Sequence, residues 1–291
     1  MRAGGSAPDL VRKARGENFP VALTVLPPAT RNHLMAVYAY ARYVDDLGDE
    51  GEPARGEAGR RQAVDEREQA LRRVADDVLA MAAGDPPRDP RVRDLAPTYH
   101  RCRLPVDALL RLVDANLMDQ KVSRYETFQD LLGYCELSAN PVGELVLAVF
   151  GRHEPHLVEL SDRVCTALQL LEHWQDVAED RRRGRIYLPR HDMERFGVDE
   201  TDLDAAHATE PLRQLVAFET DRAEAWLEAG SILVPALSGW ARLAVSAYVA
   251  GGRAAARCLA LSGYDPLPGA PKPGRADIAR AWLRGAVRSP G

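Results

Sequence analysis

Two groups of carboxylates in this chain have the spacing that chemistry requires. Asp45, Asp46 and Asp49 fall within DDLGDE, and Glu172, Asp176 and Asp180 recur at four-residue steps within ALQLLEHWQDVAEDRRRGRIYLP. Residues four apart on a helix share a face, so Asp45 and Asp49 project together, with Asp46 beside them and Glu50 one turn beyond Asp46. Like charges at this spacing repel, and more strongly once dehydrated, so an acidic face on an otherwise apolar helix implies a compensating cation. Oxygen donors without interleaved His or Cys are hard ligands and favour Mg²⁺ over zinc. Such an ion usually takes one or two carboxylates and completes its shell with water and phosphate oxygens, so two facing acidic helices would hold a diphosphate.

A single DDxxD occurs on many solvated helices. What argues for a site is the pairing of two such groups on separate apolar helices, the second running straight into RRRGR. Arg181, Arg182, Arg183 and Arg185 could complement a helix C-terminus or bond a departing diphosphate. Arg185, just before IYLP, is the expected contact, and Arg42, one turn before Asp46, is a second. Leu168, Leu171, Trp174 and Val177 flank the second acidic stripe and are expected to pack it inward, with Gln169 and Gln175 close by.

Helices must carry these groups. From Thr30 the apolar positions Leu34, Val37, Tyr38, Ala41 and Val44 recur at helical steps up to DDLGDE. A loop over 51–60 and a helix over 61–83 follow, closed by Gly84 and DPPRDP. Further helices are expected at 90–102, 105–120, 127–150, 156–183, 208–233, 236–262 and 275–287. No period-two strand, hairpin signal or solenoid repeat is present. The expected fold is all-α: a flexible lead-in over 1–16 and one helical domain over 17–291, a size that one large core can support.

Composition narrows the partners. The chain has 291 residues, is 46% hydrophobic and 28% charged, and carries a net charge of −5 without a face-long basic stripe, which argues against nucleic acid. Cys102, Cys135, Cys165 and Cys258 occur singly, with no secretory leader ahead of them, so four buried thiols in a reducing cytoplasm are expected. No stretch reaches the ~20 apolar residues of a membrane span; the longest low-charge run, Ala229 to Ala241, contains Pro235 and Gly239. The apolar segment with Trp240, Leu243, Val245, Tyr248 and Val249 could lie against the inner membrane face, although ordinary core packing explains it as well.

The paired aspartate motifs, the GRIYLP after the second and the YCELSANPVGE between them resemble the squalene and phytoene synthases, over about Glu17 to Tyr264. ENFPVA, SANPVGELVLAVFG and HWQDVAEDRRRGRIYLP look most like the bacterial hydroxysqualene synthase branch of hopanoid biosynthesis. The resemblance implies an isoprenoid synthase helical bundle around a central apolar cavity. It implies Mg²⁺ held at the mouth by Asp45, Asp46 and Asp49 on one side and Glu172, Asp176 and Asp180 on the other. Tyr134, Gln169 and Tyr248 match polar positions at the diphosphate end of relatives, and Arg42 matches an arginine before the first motif. Two residues depart from the pattern: Glu172 replaces a usual Asn ligand, and Gln175 replaces an Arg of the condensing enzymes, as in the hydroxysqualene branch.

The reaction so implied ionises presqualene diphosphate, rearranges the cation and captures it with water to give hydroxysqualene. Tyr38, Tyr40, Phe150 and Trp174 are candidate cation-stabilising rings, though core packing explains most of them. Asn140, beside Pro141, replaces a small residue of the phytoene synthase type and is a candidate for holding the water, against the plainer reading of a helix cap or kink. The alternatives are a synthase joining two prenyl diphosphates head to head, which would consume farnesyl or geranylgeranyl diphosphate alone, and a non-catalytic helical scaffold. A di-iron carboxylate site would need ExxH motifs that neither acidic group supplies.

Overall fold

The computed structural model describes residues 25–49, 56–269, 273–274, 277–278 and 280–282. The lead-in over 1–16, the ENFPVA motif, Glu50, residues 51–55 and much of the segment 275–287 lie outside the described residues, while 56–60, expected as loop, already belong to a helix that starts at Gly56 rather than at 61. The helices are α1 (Pro28–Asp49), α2 (Gly56–Ala83), α3 (Pro90–Cys102), α4 (Val106–Asp119), α5 (Phe128–Ser138) and α6 (Asn140–Val149). They continue as α7 (Pro155–Gln175), α8 (Val177–Arg182), α9 (Arg190–Phe196), a 3₁₀ turn (Glu200–Asp204), α10 (Glu210–Gly230), α11 (Leu233–Ala236) and α12 (Gly239–Leu261). Among the described residues there is no strand, only an isolated parallel bridge between Arg124 and Ile186.

Local chemistry sets the helix ends. Asp89 accepts from the N–H groups of Arg91 and Val92 at 2.7 and 3.3 Å to start α3. Thr127 and Asp130 form a reciprocal capping box at α5, and Thr209 caps α10. Pro28 occupies the first turn of α1, where its missing N–H costs nothing, so it opens a helix rather than ending one.

Several expected boundaries shift. The helix expected over 127–150 is divided at Ala139, because Pro141 cannot donate a backbone bond and starts a new helix. The helix expected over 156–183 breaks at Asp176, whose backbone leaves helical angles (φ −101°, ψ 16°). The helix expected over 236–262 begins at Gly239 as α12, while α9, the 3₁₀ turn and the short α11 between α10 and α12 were not expected. On α1 the buried positions are Leu34, Val37, Tyr40, Val44 and Gly48, so Tyr40 takes the core place that the sequence pattern gives to Tyr38 and Ala41.

The bundle is organised on α7, which packs against α5, α6, α10 and α12 and buries Leu157, Val164, Ala167, Leu170, Leu171 and Trp174. Each fully buried Leu of this kind contributes about 2 kcal/mol from the transfer of apolar surface out of water. Gly143 of α6 meets α7 closely: a Cβ there would collide with Ser161 and Cys165. α1, α2, α3 and α4 close a second core around Val44, Leu71, Val78 and Leu109. The acidic end of α1 and the end of α7 thus belong to two packed halves of one bundle. Of the four free cysteines expected to be buried, only Cys135 is fully buried; Cys102, Cys165 and Cys258 keep partial exposure. No described helix is long and apolar enough to cross a membrane, and Trp240 is 47% exposed.

Candidate functional site

The first acidic group is held in place from α4. Asn116 donates from Nδ2 to Asp45 Oδ1 and to the Leu112 carbonyl, both at 3.1 Å. Gly48 makes this approach possible, since a Cβ on it would strike the Asn116 side chain. Gln120 then bonds the carbonyls of Gly48 and Asn116, each at 3.1 Å, which ties the end of α1 to α4. Asp45 is exposed to solvent on one side and held by Asn116 on the other. Its carboxyl is pushed up to about 6, first by burial and then by Asp49 and Asp46, against the opposing effects of Asn116 and Arg42. Arg42 Nε lies 2.9 Å from Asp46 Oδ1.

The second group straddles the break at Asp176. Asp180 N–H still bonds the Asp176 carbonyl at 2.9 Å, so the one-turn spacing survives the change of backbone angle. Glu172 is exposed, and Asp176 and Asp180 are partly buried. His173 Nδ1 lies 3.8 Å from Asp180 Oδ2, and its Nε2 lies 3.0 Å from Gln169 Nε2. Leu171, Trp174 and Val177 are buried behind the stripe. Gln175, 3% exposed, buries an amide nitrogen without a hydrogen-bond acceptor.

Arg185 connects the two groups. Its N–H bonds the Asp180 carbonyl at 2.9 Å, and its Nη2 reaches Asp49 Oδ1 at 3.2 Å. Burial works against the guanidinium charge, but Asp119, Tyr187 and Asp49 outweigh it and hold the group above its ordinary value. The neighbouring arginines have other partners. Arg181 forks onto Asp204 at 2.8 Å and bonds Glu200 at 2.8 Å; Arg182 bonds the Ala178 carbonyl at 3.1 Å; Arg183 pairs with Glu179 at 2.7 Å.

Residues that the sequence analysis passed over stand at the centre of this end. Asp119, the last residue of α4, accepts from the Tyr134 hydroxyl at 2.9 Å. Tyr187 stacks on His173 with ring centroids 3.6 Å apart, and Tyr125 and Tyr134 pack around it at 5.6 and 5.7 Å. Tyr187 lies inside GRIYLP, read above only as a landmark, and Asp119 is an isolated acid with no periodic partner. A hollow of about 10 Å³, room for about one water, is lined by His173, Asp180, Arg185 and Tyr187 among others.

Other candidates lie deeper. Tyr248 of α12 is near Cys165, three turns or about 16 Å along α7 from Asp176, and burial raises its phenol to about 12. Asn140, 6% exposed, accepts from Thr166 Oγ1 at 3.0 Å, between α6 and α7. Tyr40 donates to the Leu109 carbonyl and Trp174 to the Glu219 carbonyl, and both rings are fully buried core.

Among the described residues no three His, Cys, Asp or Glu side chains converge tightly enough to cage a metal alone. The donor set still fits Mg²⁺, which needs only one or two carboxylates per ion and takes the rest of its shell from water and phosphate.

The model of the squalene/phytoene synthase family matches residues 12–282. A hydroxysqualene synthase of Zymomonas mobilis is 32% identical over 254 residues, covering 86% of this chain and 80% of its own. A presqualene diphosphate synthase of Rhodopseudomonas palustris is 32% identical over 213 residues, covering 72% and 71%. The solved structure of squalene synthase HpnC from Alicyclobacillus acidocaldarius is 36% identical with a TM-score of 0.77, covering 89% of this chain and 94% of that one.

Proposed function

The chain belongs to the squalene/phytoene synthase family, whose members process prenyl diphosphates, and on that premise we propose that it converts presqualene diphosphate and water to hydroxysqualene and diphosphate. The observation that carries this choice is Gln175. A neutral, buried amide stands where the condensing enzymes carry an arginine, which suits a site that handles one diphosphate rather than two.

In this reading Asp45, Asp46 and Asp49 face Glu172, Asp176 and Asp180 across the mouth and together hold Mg²⁺, which supplies charge neutralisation at the diphosphate oxygens. Arg185 exchanges Asp49 for a phosphate oxygen, and Arg42 offers a second guanidinium; both bonds strengthen as the leaving group gains charge. The carbon–oxygen bond breaks with its electron pair leaving on the diphosphate. The cation rearranges, water oxygen forms the new carbon–oxygen bond, and one proton is released. Tyr134 and Gln169 line the leaving-group end, Tyr248 lies deeper, and Asn140, held by Thr166, positions the water.

A head-to-head condensing synthase is the second reading, favoured by the presqualene diphosphate synthase relative of equal identity. Incubating the protein and Mg²⁺ with presqualene diphosphate, and separately with farnesyl diphosphate, decides between the two by mass analysis of the extracted lipids. Hydroxysqualene from presqualene diphosphate alone is expected; consumption of farnesyl diphosphate would overturn the first reading in favour of the second.

A further inference from the structure

Asp119 ends α4 at the point where four other pieces of the chain meet. Tyr134 of α5 donates to its Oδ2 at 2.9 Å. Its Oδ1 is buried and has no hydrogen-bond partner. A buried carboxylate oxygen left bare is costly, and such groups persist where a ligand, a water or a moving side chain completes them. The groups facing Asp119 from the elements around it are Arg185 and Tyr187 after α8, Asp49 of α1, His173 of α7, Tyr134 of α5 and Tyr125 before it. Arg185 is the cation among them, and its guanidinium already reaches Asp49 at 3.2 Å.

We propose that Asp119 is a positioning residue of the diphosphate site: it orients the Tyr134 hydroxyl through Oδ2 and provides, at Oδ1, the anchor for Arg185 when that guanidinium leaves Asp49 for a phosphate. The inference rests on the functional reading above only in taking this end as the diphosphate end. In the resting arrangement Arg185 neutralises Asp49. Once a cation and a diphosphate occupy the mouth, Asp49 is claimed by the cation, and a carboxylate outside the acidic motifs must keep the guanidinium aimed. Asp119 is placed for that, because it stands on α4 rather than on either motif helix. Burial raises its carboxyl, and Arg185 and the Tyr134 hydroxyl oppose that rise.

The test is Asp119→Asn, which keeps size and an acceptor for Tyr134 and removes the charge. Turnover is measured on whichever diphosphate the wild-type protein consumes, beside thermal melting. The expected result is a melting temperature near wild type, kcat lower by at least thirtyfold with KM within threefold, and no further loss when Tyr134→Phe is added. A kcat within threefold of wild type, or losses that multiply in the double variant, would overturn the proposal. If wild type consumes farnesyl instead of presqualene diphosphate, the proposed function fails and Asp119 is judged on farnesyl diphosphate by the same thresholds. If it consumes neither, magnesium pyrophosphate binding is the readout: tenfold weakening supports the role and unchanged affinity removes it. If Asp119→Asn does not fold, Asp119→Glu replaces it, with partial activity expected from the retained charge and wild-type activity counting against the role.

Discussion

Glu219 and Asp119 are both carboxylates inside the bundle beside an arginine, and their surroundings differ in completeness. Glu219, on α10, has no exposed side-chain surface, and both its oxygens lie 3.3–3.4 Å from Arg222 Nη1. Arg222 also bonds Asp192 at 3.0 Å and lies over the rings of Phe128 and Phe218 at 4.1 and 4.5 Å. Burial pushes the Glu219 carboxyl up to about 8, with Asp192 adding to the rise, so the group is held largely as the neutral acid. Every side-chain oxygen of Glu219 has a partner, and the cluster is closed by aromatic faces. Beside the acidic motifs Asp119 keeps a bare oxygen, Arg185 reaches Asp49, and Asp45 is raised first by burial and further by Asp49 and Asp46. A closed polar cluster has nothing left to offer a ligand; an incomplete one does, and this separates scaffold from site among residues of the same type.

The largest effect that would sharpen this contrast is expected from Asp176→Asn: a loss of about a hundred- to a thousandfold in turnover with melting little changed. A variant that keeps its rate would break the contrast at its centre. Next come the arginines. Arg185→Gln is expected to cost about tenfold to a hundredfold in turnover, because it removes a charge-assisted bond to the leaving group. Arg181→Gln, whose partners Glu200 and Asp204 lie away from the acidic groups, should leave turnover near wild type and lower thermal stability only slightly, as partly exposed ion pairs do. Equal losses of turnover from both would mean that the site extends to the 3₁₀ turn.

The smallest effect on turnover is expected from Glu219→Gln, whose signature lies in pH dependence. The ordinary Glu value in an unfolded chain is about 4.3, and the folded value here is about 8. Between these the folded state binds more protons than the unfolded one, so stability falls as pH rises through the window. Melting followed from pH 5 to 9 should show that decline in wild type and a flatter profile in Glu219→Gln. A variant that loses turnover while keeping its fold would move Glu219 from scaffold to site.

Much of the helical architecture was readable from the sequence, because apolar periodicity, caps and prolines act over a few residues. The misreadings have local causes. Tyr38 and Tyr40 are equally apolar neighbours, and packing of α1 against α4, where Tyr40 bonds Leu109, decided between them. The break at Asp176 leaves no mark in the sequence, since no Gly or Pro stands there. The two acidic motifs were legible because charge repetition on a helix is a pattern. Asp119, Asn116 and Tyr187 carry no pattern and join the acidic motifs only through contacts made from other elements.

By itself the sequence determined the all-helical class, the two acidic helix faces and the family, since each depends on residue types at short spacing. Only the tertiary structure decided which tyrosines are core, which acid is left incomplete and that Arg185, already singled out by its place before IYLP, pairs with Asp49. These depend on hydrogen bonds such as Arg185 to Asp49 and Tyr134 to Asp119, made between side chains far apart in the chain and brought together by the packing of α1, α4, α5 and α7.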